Sequence, residues 1–315
     1  MCQHLYRWTC QTVVAAILLV ALSTGALAQT CTVSLPVVAF GNVNVLPGTA
    51  VDTTSTLTVI CSGGTSAGQR VCISIGAGSA SDSTSRKLTG PSSNTARFNL
   101  YQDSARTLLW GSWQTGYDVS GVQLDVSQNT TKTVTVYARF LSAQPTVVVG
   151  AYTSTFTANP FIQYDNKATA SCPTGAKTAS TSTTATATVL SSCSVSATNI
   201  SFGSVGLLTS NKDATGTLSV QCNSTLPYTI SLDGGLSAAT NPAQRKMTFS
   251  TSNILYGLYS DSARAVPWGA TAGVNTISGT GNGASQNLTV YGRIASQVTP
   301  KPGTYSDTIV VTASY

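Results

Sequence analysis

Six cysteines carry most of the chemistry open to residues 29–315: Cys31, Cys61, Cys72, Cys172, Cys193 and Cys222. Their even number and the lack of any Cys-x-x-Cys spacing read as disulfides made in an oxidising compartment. Metal binding is the alternative, but no histidine supports it, because the only histidine is His4. The sequence has no glutamate, so all ten of its acidic residues are aspartates. General acid–base chemistry leans on His and Glu, and a Ser-His-Asp or Cys-His constellation cannot be built from these residues. Only a Ser–Lys or paired-Asp site stays open, so no enzyme activity and no cofactor are expected. Charged residues make up 8% of the chain, and the net +6 is scattered, with no run of Lys or Arg. A phosphate-tracking surface needs clustered charge, so no nucleic acid partner is expected.

These cysteines need elements to position them and an export route. Residues 1–28 read as a secretory signal, with Arg7 ahead of an apolar run at 13–22 and a small-x-small site at Ala26, Leu27 and Ala28. The apolar run is shorter than the roughly 20 residues a membrane span requires. Gln29 and Thr30 separate the cleavage site from Cys31, so no lipoprotein cysteine follows it. Beyond it, Thr, Ser, Ala, Val and Gly dominate, a mixture suited to strands and tight turns.

The sequence repeats itself. Cys31-Thr-Val-Ser matches Cys193-Ser-Val-Ser, and Phe40-Gly41 and Phe202-Gly203 follow at equal distances. Thr56-Leu-Thr-Val-Ile-Cys61 matches Thr217-Leu-Ser-Val-Gln-Cys222, and Arg86-Lys-Leu88 matches Arg245-Lys-Met247. Leu100-Tyr-Gln-Asp-Ser-Ala-Arg106 matches Leu258-Tyr-Ser-Asp-Ser-Ala-Arg264, each followed by Trp-Gly at Trp110 and Trp268. Gly150-Ala-Tyr152 matches Gly303-Thr-Tyr305. The offset drifts only from 162 to 153 (193 − 31 and 303 − 150). Within each copy, apolar and polar residues alternate over short runs between Gly, Ser, Asn and Pro turns, which argues antiparallel sandwiches. The expected fold is all-β: two tandem immunoglobulin-like antiparallel β-sandwiches at 29–190 and 191–315, the second lacking its last strand. A bridge between the first two strands is the simplest pairing for Cys31 with Cys61 and for Cys193 with Cys222. Cys72 and Cys172 occur only in copy one, where they are either bridged to each other or free.

The ordered motifs (Cys, Phe-Gly, Cys, then Leu-Tyr-x-Asp-Ser-Ala-Arg with its Trp-Gly, then Gly-x-Tyr) resemble the spore coat protein U domain over residues 31–160 and 193–315. That family includes the pilins of archaic, Csu-type chaperone–usher pili. The resemblance implies export through the periplasm to the cell surface. It also implies a periplasmic chaperone, an outer-membrane usher and an adjacent pilin that donates a strand as partners.

The ends of the copies sharpen this expectation. In copy one the strand beginning near Tyr152 is followed by about thirty residues, including an alternating stretch at 182–190 that could close the sandwich. Copy two stops at Tyr315, which leaves Ile309, Val311, Ala313 and Tyr315 as the expected strand-acceptor edge. Only Gln29 and Thr30 precede Cys31, so a chain that accepts a strand without giving one is expected at a fibre's tip. The expected function is a tip adhesin for attachment and biofilm formation to an abiotic hydrophobic surface or a host receptor, with copy one binding. A non-tip minor pilin, a secreted coat component and a carbohydrate-binding lectin are the rivals.

Candidate adhesive residues are those by which copy one departs from copy two. Trp113 and Tyr117 have no aromatic counterparts. Val147, Val148 and Val149 replace a Pro-Lys-Pro loop. Phe161, Ile162 and Tyr164 lie in the extra segment. Apolar loop residues suggest a contact surface, although each could also cover the core or pack the domains together. Strand parity favours Trp113, Tyr117 and 161–164 as distal and disfavours the Val triplet.

Overall fold

The computed structural model describes residues 30–63, 68–82, 84–113, 120–167, 171–173 and 177–315. The expected signal and Tyr117 lie outside these. Among the described residues the chain is all-β, apart from one short 3-10 turn at Pro91–Ser93.

Copy one is built from β1 (Thr30–Ser34), β2 (Val38–Val43), β3 (Val51–Ser62), β4 (Gln69–Ser74), β5 (Arg86–Thr89), β6 (Thr95–Tyr101), β7 (Val122–Val126), β8 (Thr130–Phe140), β9 (Gly150–Phe156), β10 (Phe161–Asn166), β11 (Lys177–Ser180) and β12 (Thr183–Val189). An eight-stranded sheet in the order β1-β3-β8-β6-β5-β9-β12-β2 packs on a four-stranded sheet in the order β11-β10-β4-β7. Alternation drives the packing. In β3, Leu57, Val59 and Cys61 face inward and are fully buried, while Thr56, Ile60 and Ser62 face out. Phe40, Phe98, Phe140 and Phe156 meet edge to face in the centre.

Copy two contains β13 (Cys193–Ala197), β14 (Lys212–Cys222), β15 (Pro227–Leu232), β16 (Arg245–Phe249), β17 (Ser252–Tyr259), β18 (Ile277–Thr280), β19 (Gln286–Ile294) and β20 (Val311–Ser314). Its sheets are β13-β14-β19-β17-β16 and β18-β15-β20. It has its own core around Leu218, Ile230, Leu258 and Trp268, separate from that of copy one.

The repeated motifs are framework. Gly41 and Gly203 sit at φ +67° and +72°, a backbone that glycine adopts without strain. Asp103 accepts backbone N–H bonds from Thr107 and Leu108, and Asp261 does the same for Ala265 and Val266. The indole N–H of Trp110 donates to the Ile73 carbonyl, and that of Trp268 to Ile230. Arg86 and Arg245 are wholly buried, and each guanidinium donates to backbone carbonyls, including that of the neighbouring Trp. A buried cation needs such a cradle, because desolvation otherwise forbids it.

All three disulfides are present. Cys31–Cys61 and Cys193–Cys222 join directly opposed positions of adjacent strands, each with Cα atoms 4.1 Å apart. In copy one the bridged strands are the first and third, not the first and second, because β2 leaves for the far edge of the sheet. Cys72–Cys172, with Cα atoms 5.6 Å apart, ties β4 to the segment after β10.

Candidate functional site

The site follows from one comparison between the copies. In copy one, β12 lies between β9 and β2, antiparallel to the first and parallel to the second. Its inward residues Thr183, Ala185, Ala187 and Val189 are all buried and seal the sandwich. Copy two has counterparts for both walls: 303–309 for β9 and 200–205 for β2. Tyr152 donates to the Val148 carbonyl at 2.9 Å, and Tyr305 donates to the Lys301 carbonyl at 2.8 Å, which fixes the equivalence. Among the described residues, no strand of copy two corresponds to β11 or β12.

The space is an open groove of 770 Å³. Ile200, Phe202 and Val205 line one wall and Thr304 and Tyr305 the other, with Met247, Ile254 and Ile294 as the floor. Neither wall is a regular strand. Only Ser306 keeps a single bridge, to Thr248, and 200–205 has none. Tyr152 and Ser154 of copy one are both 0% exposed, whereas their counterparts Tyr305 and Asp307 are only half-buried. Met247 and Ile254 are likewise half-exposed where Leu88 and Ala96 are sealed. Fully burying one large apolar side chain is worth about 1.5–3 kcal/mol, so the unfilled groove forgoes several such terms.

The expected acceptor edge divides between two places: β20 is the edge strand of the smaller sheet, and the segment before it borders the groove. Val311 and Ala313 belong to β20, which pairs with β15 as β10 pairs with β4, and Tyr315 follows β20 where Tyr164 stands in copy one. Only Ile309 belongs to the segment that borders the groove. The wall at 200–205, the Met247–Ile254 floor and Tyr305 are the residues that sequence reasoning missed. The repeat of Phe-Gly with apolar residues two and three positions away on either side was the signal that could have found the first wall.

Asp307 ends the groove in a polar step. Its carboxylate accepts the Tyr256 hydroxyl at 2.7 Å and the Leu236 N–H at 2.8 Å. Burial, and then this carboxylate, pushes the Tyr256 phenol well above its usual range.

The candidate adhesive residues scatter. Phe161, Ile162 and Tyr164 are not loop residues. They form β10, where alternation turns Ile162 (0% exposed) and Tyr164 (5%) into the core. A run that alternates apolar and polar side chains is a strand pattern, and it pairs with β4 on one side and β11 on the other. Val147 is buried, and Val148 bridges Ser224 of copy two. Val148 and Val149 line a 510 Å³ cleft between the copies with Pro91, Asn94, Leu226 and Pro227. The Val triplet thus sits at the joint. Trp113 is half-buried in a loop. Its backbone N–H donates to Ser74 Oγ, and its ring packs on Gly121. Ser74 lies at the opposite end of β4 from Gln69, and Gln69 is beside the Cys31–Cys61 bridge. The pole turned away from copy two carries that bridge, Gly63, Asn129 and the Arg70–Asp125–Lys167 ion pairs. Trp113 and Phe161 lie at the Ser74 end of β4.

The chain thus holds two all-β domains of one plan, one closed by its own strand and one with an open groove. The sequence matches the Spore Coat Protein U domain over residues 16–159 and 179–312, and the chain belongs to that family. Protein U of Myxococcus xanthus is 36% identical over 107 residues, 32% of this chain, which spans 59% of that relative's length. Among solved structures, the fold resembles the CsuC–CsuE chaperone–tip adhesion subunit pre-assembly complex from archaic chaperone–usher Csu pili of Acinetobacter baumannii. That likeness has a TM-score of 0.52 and 17% identity, over 91% of this chain and 100% of that one. The CupB6 tip adhesin of Pseudomonas aeruginosa matches at TM-score 0.38 and 11% identity, over 84% of this chain and 87% of that one.

Proposed function

We propose that this protein is the tip adhesin subunit of a chaperone–usher pilus. Copy two accepts a strand first from a periplasmic chaperone and then from the adjacent pilin, the usher threads the product outward, and copy one makes contact with a surface during attachment and biofilm formation. One observation carries this reading: the same groove is filled by β12 in copy one and open in copy two. A filled groove frees copy one from assembly, and an open one commits copy two to a partner by β-augmentation. Membership of the Spore Coat Protein U family and the likeness in fold to a chaperone-bound tip subunit support it.

The test uses a peptide of residues 181–192, the β12 segment itself, added to the full mature chain. Copy two should melt at a higher temperature with peptide bound, and Thr304→Cys should trap a peptide with Cys at position 188, the pairing that Ala151 makes with Thr188 in copy one. A peptide that neither binds nor stabilises sinks strand acceptance. For the binding half, Trp113→Ser should lower attachment to plastic by cells that still display pili. Unchanged attachment assigns Trp113 to packing and favours a non-tip pilin.

A further inference from the structure

The junction between the copies is tightly built. Beyond β12, the Leu190 N–H donates to the Val43 carbonyl at 3.0 Å. Asn44 Nδ2 donates to Ser192 Oγ at 3.1 Å. Asn223 then clamps the linker from copy two: its Oδ1 accepts the Ser192 N–H at 2.6 Å, and its own N–H donates to the Ser192 carbonyl at 3.1 Å. Cys193 begins the next strand directly. Beside the linker, Val148 bridges Ser224, and Pro145 lies so close to Gly283 that a Cβ there would strike its carbonyl.

The pole of copy one that makes these contacts is built again on copy two. Gln144 brackets Arg97 with its side-chain amide, accepting from its N–H and donating to its carbonyl, and Gln297 brackets Leu255 in the same way. Gly150 packs on Pro91 of its hairpin, and Gly303 packs on Phe249 of the corresponding one. Val298 therefore stands where Pro145 stands, and Lys301 where Val148 stands. Yet Val298 is 92% exposed and Phe249 38% exposed, with Lys301 lying 5.4 Å over the Phe249 ring. One pole carries a joint, and its duplicate carries apolar residues in solvent.

We infer that the pole formed by Phe249, Val298 and Lys301 is the docking surface for the adjacent subunit, a domain of this same fold that presents its disulfide-bridged pole as copy two presents Cys193–Cys222 to copy one. The inference rests on strand acceptance by copy two. The occupant's segment runs as β12 does, and three residues separate it from its own first cysteine, as Leu190, Ser191 and Ser192 do here. The covalent joint inside this chain is the template for a joint between subunits.

Because Tyr315 stands where Tyr164 stands, appending residues 165–315 after Tyr315 continues copy two as copy one is continued. The appended stretch carries Cys172→Ser, since copy two lacks a partner for that thiol. Lys301→Cys is placed in the middle domain and Ser224→Cys in the appended one, reproducing the Val148–Ser224 contact. Cysteines bridge only when their Cα atoms lie within about 7 Å. The expected result is a middle domain that melts more than about 5 °C higher than in the parent chain, with near-complete disulfide formation between the two new cysteines and none when Lys246→Cys replaces Lys301→Cys. A stabilised middle domain without the bridge overturns the docking surface and leaves strand acceptance standing. A middle domain that gains no stability removes both.

Discussion

The Tyr256 hydroxyl donates a 2.7 Å hydrogen bond to the Asp307 carboxylate at the positions that Phe98 and Ser154 occupy in copy one. Copy one closes over an apolar ring and a small hydroxyl. Copy two keeps a neutral phenol bonded to a carboxylate beside the buried Arg245, with Asp233 also close enough to act on Arg245 and Tyr256.

A pH dependence follows for copy two. The folded-state phenol of Tyr256 is raised above its unfolded value of about 10. Its contribution to stability is therefore fully present below pH ~10 and is lost as pH rises toward the folded value. Tyr256→Phe should cost about 1–2 kcal/mol at neutral pH through the lost charge-assisted bond and should flatten the alkaline decline relative to the parent chain. Urea denaturation between pH 7 and 11, followed by hydrogen exchange in β17, reads both effects. An unchanged alkaline slope refutes the assignment.

Ala185→Asp places a carboxylate on the inward face of β12, where the parent side chain is fully buried. The charge has no partner there, so either β12 leaves the groove or copy one loses at least ~3 kcal/mol. Protease should then cut near 180–190 in the variant while β14 and β19 keep their exchange protection. Resistance equal to the parent would mean that β12 is not needed to close copy one.

Replacing both Cys72 and Cys172 with Ser should destabilise copy one by about 2–4 kcal/mol and leave copy two untouched. The two residues are 100 apart in sequence, so the bridge limits a long loop in the unfolded chain. Differential scanning calorimetry should show one transition moving and one staying.

At acid pH the exposed clusters matter, though modestly. Asp52 is held below the usual carboxylate range by its bond from Arg139, and Asp213 by its bond from Arg293. Their contribution is present above the unfolded value of about 3.9 and falls away as pH drops through the lowered folded value. Solvent screening keeps each below about 1 kcal/mol, so Asp52→Asn and Asp213→Asn should cost little at pH 7 and nothing at pH 2, by denaturation in low salt.

The repeat, the strand class and the self-closing segment of copy one were legible in the residues, because period-two patterning and turn composition are local. Which strand borders which was not. Val38, Phe40 and Val43 look like any short strand, and only the folded chain shows β2 crossing to the far edge to receive β12. The expected acceptor edge, Ile309, Val311, Ala313 and Tyr315, for that reason reached the 303–309 wall only through Ile309 and left out the wall at 200–205. Phe161, Ile162 and Tyr164 were misplaced for a related reason: an apolar segment without a counterpart looked like a loop, whereas Tyr164 has its counterpart in Tyr315.

The route of the chain from β12 through Leu190 and Ser192 into β13 also fixes how the molecule bears a pull. Under the proposed function, tension between a surface bound by copy one and a fibre joined to copy two would run along β12. That strand is flanked by β9 on one side and β2 on the other, so the load shears two ladders of hydrogen bonds at once instead of peeling them in turn. Cys72–Cys172 ties β4 to the segment after β10 and lies off this line, so it does not shield β12 from the load.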